Sequence, residues 1–263
     1  PKGASATQFP SEYRQISIKS VLSKIYEKLL ARRLYKYVNS KEILPSGQFG
    51  FRKGFGTVDA LLTIVHDLQA ALDKSAEARV LSLDFSSAFD LVNHAGLLFK
   101  LKSYGVGGPI FNVFSNFLSN RQQRTCVDGC FSLFKPVLSG VPQGSVLGPL
   151  FFILYTADMW HNLENQLVAY ADDATLYAPI TSRFDRVSTA SSLNRDIARL
   201  ESWCACWGMR INPGKSQSMT VSRSRTALPH HPSLLIGGSS VSISKSIRPV
   251  SYTHLTLPTI AGV

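Results

Sequence analysis

The stretches LSLDFSSAFD at residues 81–90 and AYADDATLY at residues 169–177 decide how this chain is read. Residues 79–85 are β-branched and apolar enough for a strand that ends near Asp84. Residues 167–171 and 174–178 are two further strand-like runs parted only by Asp172 and Asp173, which places both acids at a hairpin tip. Adjacent carboxylates on a tight turn repel each other, so they persist as anions mainly where a cation or basic partner compensates them. Asp84, at the end of another strand, could complete an all-oxygen site of the kind Mg²⁺ prefers, with phosphate oxygens and water filling the octahedron. A pair of solvated turn aspartates is the alternative for Asp172-Asp173 taken alone.

Outward from these strands the periodicity turns helical. Residues 20–38 repeat Val21, Leu22, Ile25, Leu29, Leu30, Leu34 and Val38 at threes and fours, an amphipathic helix that puts Lys24, Lys28 and Arg32 on one exposed stripe. GQFGFRKGFG at 47–56 is too rich in glycine for a helix and reads as a turn or short ribbon. Thr57 can cap a second helix whose buried face is Val58, Leu61, Leu62, Val65, Leu68 and Leu72. Further helices are expected over 94–104, 110–118 and 187–207, and an apolar one ending near Trp160. Asp128-Gly129 marks a hairpin between residues 125–127 and 131–138, and beyond Pro229 the chain is Ser- and Gly-rich with short β-prone runs.

Composition narrows the class. With 44% hydrophobic and 17% charged residues the chain has globular proportions, which excludes disorder throughout. The longest uncharged apolar block, residues 146–155, is far shorter than the roughly 20 residues of a membrane span, and no pattern points to secretion. Cys126, Cys130, Cys204 and Cys206 do not have the spacing of a zinc finger or ribbon and are expected to be reduced, mostly buried thiols. The net charge of +11 is uneven. Residues 1–56 hold 11 Lys/Arg against 3 Asp/Glu, 57–179 hold 7 against 11, 180–226 hold 8 against 3, and 227–263 hold 2 against none. Basic flanks around an acidic centre suit a polyanion held at the edges of a site with its own carboxylates; a basic face turned to solvent gives the same count.

Four motifs follow one another in the order LSLDFSSAFD, SGVPQGSVLGPLFFILY (139–155), AYADDATLY and GMRINPGKS (208–216). This ordered set resembles the palm motifs of non-LTR (LINE-type) retrotransposon reverse transcriptases, and YRQISI (13–18) and GQFGFRKG (47–54) resemble that family's fingers motifs. The resemblance implies an α+β fold of the right-hand polymerase type, with fingers over residues 1–78 and a palm over 79–226 whose small antiparallel sheet is backed by helices. Residues 227–249 would end the palm, and the thumb would be missing or truncated. Residues 250–263, where the family continues into an apolar primer grip, read VSYTHLTLPTIAGV, have no charged residue and are expected to be a non-native tail.

Carried over position by position, the resemblance implies RNA-directed DNA synthesis from dNTPs on an RNA template and a DNA primer. Asp84 and Asp172 would bind two Mg²⁺, or Mn²⁺ in their place, with Asp173 beside them. Lys215 would be a proton donor to pyrophosphate. Phe89 would lie under the incoming sugar and collide with a 2′-hydroxyl, Gln143 and Gly144 would lie against the nucleotide and template base, and Arg52 would bind the triphosphate. Arg14 would touch template or nucleotide. Gln15 and Ser87 stand where the family commonly has Pro and often Lys, and neither change removes a metal ligand. Two alternatives remain open at this level: a group II intron-like reverse transcriptase, and a catalytically inactive, RNA-binding remnant.

Overall fold

The structure, a computed structural model, describes residues 16–74, 77–182, 184–223 and 231–247 together with the short strand Leu257–Pro258. Two long helices come first, α1 (Val21–Ser40) and α2 (Thr57–Lys74). Then follow β1 (Glu77–Leu83), α3 (Ala88–Leu91), α4 (His94–Ser103) and α5 (Gly108–Leu118). A two-tier hairpin is built from β2 (Gln122–Gln123), β3 (Cys126–Val127), β4 (Cys130–Phe131) and β5 (Lys135–Pro136). The chain continues through α6 (Leu147–Tyr155), β6 (Gln166–Tyr170), β7 (Asp173–Ile180), α7 (Asp185–Trp207) and β8 (Gln217–Ser222). Short strands β9 (Leu235–Ile236), β10 (Ser239–Ser240), β11 (Ser242–Ile243), β12 (Ser246–Ile247) and β13 (Leu257–Pro258) complete it. Apart from Leu257–Pro258, which pairs with β12, residues 250–263 lie outside the described residues.

The central sheet runs β11-β8-β1-β7-β6. β1 is antiparallel to both β7 and β8, β6 to β7, and only the short edge strand β11 is parallel. β1 is enclosed along nearly its whole length, Glu77 and Arg79 included, because both of its faces are covered. Leu81 and Leu83 point with Leu167, Ala174 and Leu176 into the larger core beside α4, α6 and α7, while Ala78 and Val80 join Ile64, Leu68 and Leu72 of α2 on the other face. α6 forms the centre of the larger core: every residue of it but Pro149 is buried. It stops at Tyr155, five residues short of the expected Trp160, and turns carry the chain on from there.

The two N-terminal helices form where their periodicity places them, but their faces differ from expectation. In α1, Leu30, Leu34 and Val38 are buried, whereas Val21, Leu22, Ile25 and Leu29 are exposed and Glu27 takes the inward place at the N-terminal half. In α2, Ala60 and Ile64 share the buried face with Leu61, Leu68 and Leu72, and Val58, Leu62 and Val65 are exposed. Lys24, Lys28 and Arg32 form the expected exposed stripe. The helix starts follow local chemistry: Ser20 accepts the Ser23 N–H at α1, and the Asp59 carboxylate accepts the Gly56 N–H at α2. Gly208, at φ 71°, closes α7 as a left-handed cap. Asp128 and Gly129, at φ 49° and 80°, make the expected hairpin turn.

The cysteines depart from the expectation of burial. Cys126, Cys130 and Cys206 are exposed free thiols, and only Cys204 is buried, its pKa pushed up to about 12 by burial and by the nearby Glu201 charge. The first two lie on the protruding hairpin, whose strands have no core beneath them. Among the described residues no helix is long and apolar enough to cross a membrane.

Candidate active site

Register brings the acids together. Leu83 pairs with Ala174, so Asp84 follows directly beside Asp173 where β1 ends and β7 begins. The two line one cavity of about 450 Å³ with Lys215, Ser82, Gln217 and Ser246. Both backbone groups of Asp84 are fixed by the loop that carries Lys215: the Asn212 N–H donates to the Asp84 carbonyl at 2.7 Å, and the Asp84 N–H donates to Ser216 Oγ at 3.1 Å. The Ser86 N–H donates to the Arg210 carbonyl at 2.9 Å, so residues 208–216 run stitched along 84–86. Burial raises the pKa of Asp84, the Lys215 charge opposes this, and the Asp173 charge adds to the rise.

Asp172 sits in the turn one residue before Asp173 and is absent from the cavity lining. Among the described residues no three His, Cys, Asp or Glu side chains stand grouped as a ready-made metal cage. The turn is held by a residue that sequence reasoning passed over. Ala171 has φ 61°, a conformation that costs an L-residue about 1–2 kcal/mol. Its N–H donates to Gln48 Oε1 at 3.0 Å and its carbonyl accepts from Gln48 Nε2 at 3.3 Å. The same Oε1 accepts the Gly50 N–H at 2.8 Å, and Gln48 is fully buried. The ribbon docks along β6 as a parallel bridge, with the Phe49 N–H on the Ala169 carbonyl and the Ala169 N–H on the Gly47 carbonyl, both at 2.8 Å. A Cβ on Gly50 would lie 2.1 Å from the Ala171 nitrogen, which explains the glycine. Neither the type of Gln48 nor its sequence neighbours signal this role. Gln48→Ala should leave three buried backbone groups without their partner, lowering stability by about 2–3 kcal/mol in thermal unfolding.

The remaining predicted residues that the structure describes are held by contacts of their own, and none of them is among the residues that line this cavity. Phe89 stacks on Phe152 at 4.3 Å and 17° and meets the edge of Phe51 at 6.0 Å, so it bridges the first core layer to the glycine-rich ribbon. The Val141 N–H donates to the Phe89 carbonyl at 2.9 Å, which joins residues 139–155 to 81–90. Gln143 is half-buried, and its carbonyl accepts the Ser17 N–H at 2.7 Å. Gly144, at φ 103°, lies so close to the segment before α1 that a Cβ would stand 2.7 Å from the Ser17 carbonyl. The close approach that requires this glycine is thus made by the protein's own backbone. Arg52 uses Nη1 to hold the Pro45 and Gln48 carbonyls at 2.9 and 3.0 Å and packs its guanidinium over Phe55. Arg14 lies outside the described residues.

A mainly antiparallel sheet carrying strand-end carboxylates beside a lysine, with helices on both faces and a ribbon docked at its edge, is an architecture of the polymerase palm type. Residues 1–252 match the family described as reverse transcriptase (RNA-dependent DNA polymerase), and this chain belongs to that family. It is 35% identical over 216 residues to the probable RNA-directed DNA polymerase from transposon BS of Drosophila melanogaster, covering 79% of this chain and 23% of that protein. It is 33% identical over 238 residues to the RNA-directed DNA polymerase from mobile element jockey of Drosophila funebris, covering 88% and 25%. The chain thus spans about a quarter of the length of these relatives, which are of the non-LTR retrotransposon kind. Among solved structures, telomerase from Candida albicans in complex with a TWJ fragment of telomeric RNA aligns at TM-score 0.56 and 16% identity over 92% of this chain and 38% of that one. Apo telomerase from Candida tropicalis truncated from the C-terminal domain aligns at TM-score 0.55 and 14% identity, over 78% and 42%. These likenesses concern the fold. Reverse transcriptases generally use divalent metal ions, and the two carboxylates of the cavity are the hard oxygen donors such ions take.

Proposed function

We propose that this chain is the fingers and palm of an RNA-directed DNA polymerase, adding dNTPs to a DNA primer 3′-hydroxyl on an RNA template. The reading is carried by the juxtaposition of Asp84 and Asp173 at adjacent strand ends beside Lys215. Fingers would comprise residues 1–78 and palm 79–226, with 227–249 ending the palm. Asp84, Asp172 and Asp173 would hold two Mg²⁺, or Mn²⁺ in their place. Ions bound there would supply a lowered pKa at the attacking hydroxyl and charge to offset the triphosphate and departing pyrophosphate.

The chain's own groups do the rest. Lys215 stands on a loop bonded to the Asp84 backbone, suitably placed to give a proton to the leaving pyrophosphate. Phe89, backed by Phe152, presents a fixed ring to the sugar of the incoming nucleotide. Gln143 and Gly144 position the base, and Arg52 and Arg14 contribute charge to the triphosphate and template. RNA as the template is supported by the relatives, named as RNA-directed DNA polymerases. Extension of oligo(dT) annealed to poly(rA), with Mg²⁺ and dTTP, is the expected result. Retention of the duplex with no extension at any Mg²⁺ or Mn²⁺ concentration would identify a binding-only remnant instead.

A further inference from the structure

Glu27 faces inward from α1 where its helix would otherwise present an apolar residue, and it is only 1% exposed. A buried carboxylate is unfavourable unless its oxygens are matched by donors. Here they are divided between two parts of the chain. Oε1 accepts from Lys19 Nζ at 2.6 Å and Ser23 Oγ at 3.4 Å, both local to the start of α1. Oε2 accepts from Ser145 Oγ at 2.6 Å, the Val146 N–H at 2.8 Å and the Leu147 N–H at 3.3 Å. Those three donors open α6, whose own N-cap position, Val146, has no side-chain hydrogen bond to offer. Glu27 therefore acts as a helix cap supplied from more than a hundred residues away. Burial pushes its pKa up, but the hydrogen bonds from Lys19 and Ser145 and the Lys19 charge more than reverse this, so it is held ionised below its ordinary value.

The place that this cap fixes is functional by the reading above, on which the present inference rests. Gln143 and Gly144 immediately precede Ser145, and they are fixed on their other side by the Ser17 N–H on the Gln143 carbonyl. Downstream, α6 carries Phe152, the ring on which Phe89 stacks. We propose that Glu27 is a positioning residue for the nucleotide pocket: its carboxylate sets the start of α6, and through it the placement of Gln143, Gly144 and the Phe152 support of Phe89. Its partners Lys19 and Ser145 belong to the same device. Lys19 holds the carboxylate's second oxygen, and Ser145 passes the bond on by accepting the Gly148 N–H at 3.1 Å.

The test uses this chain with Glu27→Gln and Glu27→Ala, and two readouts. In amide hydrogen exchange, Glu27→Ala should raise exchange across residues 143–148 by tenfold or more while leaving β1 and β7 unchanged, because only the cap is lost. Glu27→Gln keeps one acceptor oxygen for the α6 amides and should show a smaller rise. In steady-state extension, Glu27→Ala should raise dNTP KM by roughly tenfold with kcat changed much less, and Glu27→Gln should lie between it and wild type. A charge exchange, Lys19→Glu with Glu27→Lys, should not rescue either readout, since a lysine cannot accept the Val146 and Leu147 N–H groups. Exchange confined to wild-type rates, or KM unchanged with only the melting temperature lowered, overturns the proposal and leaves Glu27 as a fold contact. Failure of the wild type itself to extend a primer overturns the polymerase reading, and the nucleotide side of this proposal with it.

Discussion

Asp84→Asn is expected to lower primer extension by on the order of a thousandfold, about 4 kcal/mol of barrier, while leaving nucleic-acid affinity nearly intact. Affinity for template and primer would come mainly from Lys and Arg on phosphates, none of which the substitution replaces. A second consequence separates a working carboxylate from a scaffold one. Burial and the Asp173 charge raise the pKa of Asp84, with Lys215 only partly offsetting them. A folded-state pKa above the unfolded one means that stability is fully present while the group is protonated and is lost as pH rises through the folded value. Above the folded-state value the ionised Asp84 is thus a burden on the fold, and its neutral isostere should melt at the same temperature as wild type or higher. Asp172→Asn and Asp173→Asn should likewise abolish extension. Extension by Asp84→Asn at a tenth of the wild-type rate, or a melting temperature several degrees lower, contradicts the assignment.

Phe89→Val should raise ribonucleotide incorporation relative to deoxynucleotide by on the order of a hundredfold, because the ring that would meet a 2′-hydroxyl is gone. The structure adds what the substitution removes besides. Phe89 loses its stack on Phe152 and its edge contact with Phe51, an expected destabilisation of about 1–2 kcal/mol. That loss is the same for either sugar, so it affects overall activity and not the ratio. Single-nucleotide extension with dGTP and rGTP reads the ratio directly. An unchanged ratio with the lower melting temperature would make Phe89 a core aromatic alone.

What the amino-acid sequence determined by itself is local in origin. The helix positions follow from apolar spacing and capping groups, the hairpins from Asp128-Gly129 and from two acids between apolar runs, and the family from an ordered set of motifs. Each of these signals lies within a few residues of the feature it specifies. The pairing of Asp84 with Asp173 is not local: it depends on the register of β1 against β7, fixed by which faces of both strands are buried between α2 and the α4, α6 and α7 layer. The faces of α1 and α2 also escaped the sequence. A hydrophobic stripe shows that a helix can bury a side but not which neighbours reach it, so Val21, Leu22 and Ile25 are exposed while a glutamate is enclosed.

Gln48 and Glu27 show the same limit more sharply. A glutamine in a glycine-rich ribbon and a glutamate in a basic helix are ordinary surface residues by type. Only tertiary structure brings Gln48 against the backbone of Ala171, 123 positions on, and Glu27 against the amides of α6. Their burial is decided by unsatisfied backbone groups that the fold creates elsewhere: a left-handed residue in the Asp172-Asp173 turn and an uncapped helix start. A polar side chain enters a core where such groups await a partner, and nothing near it in sequence records that need.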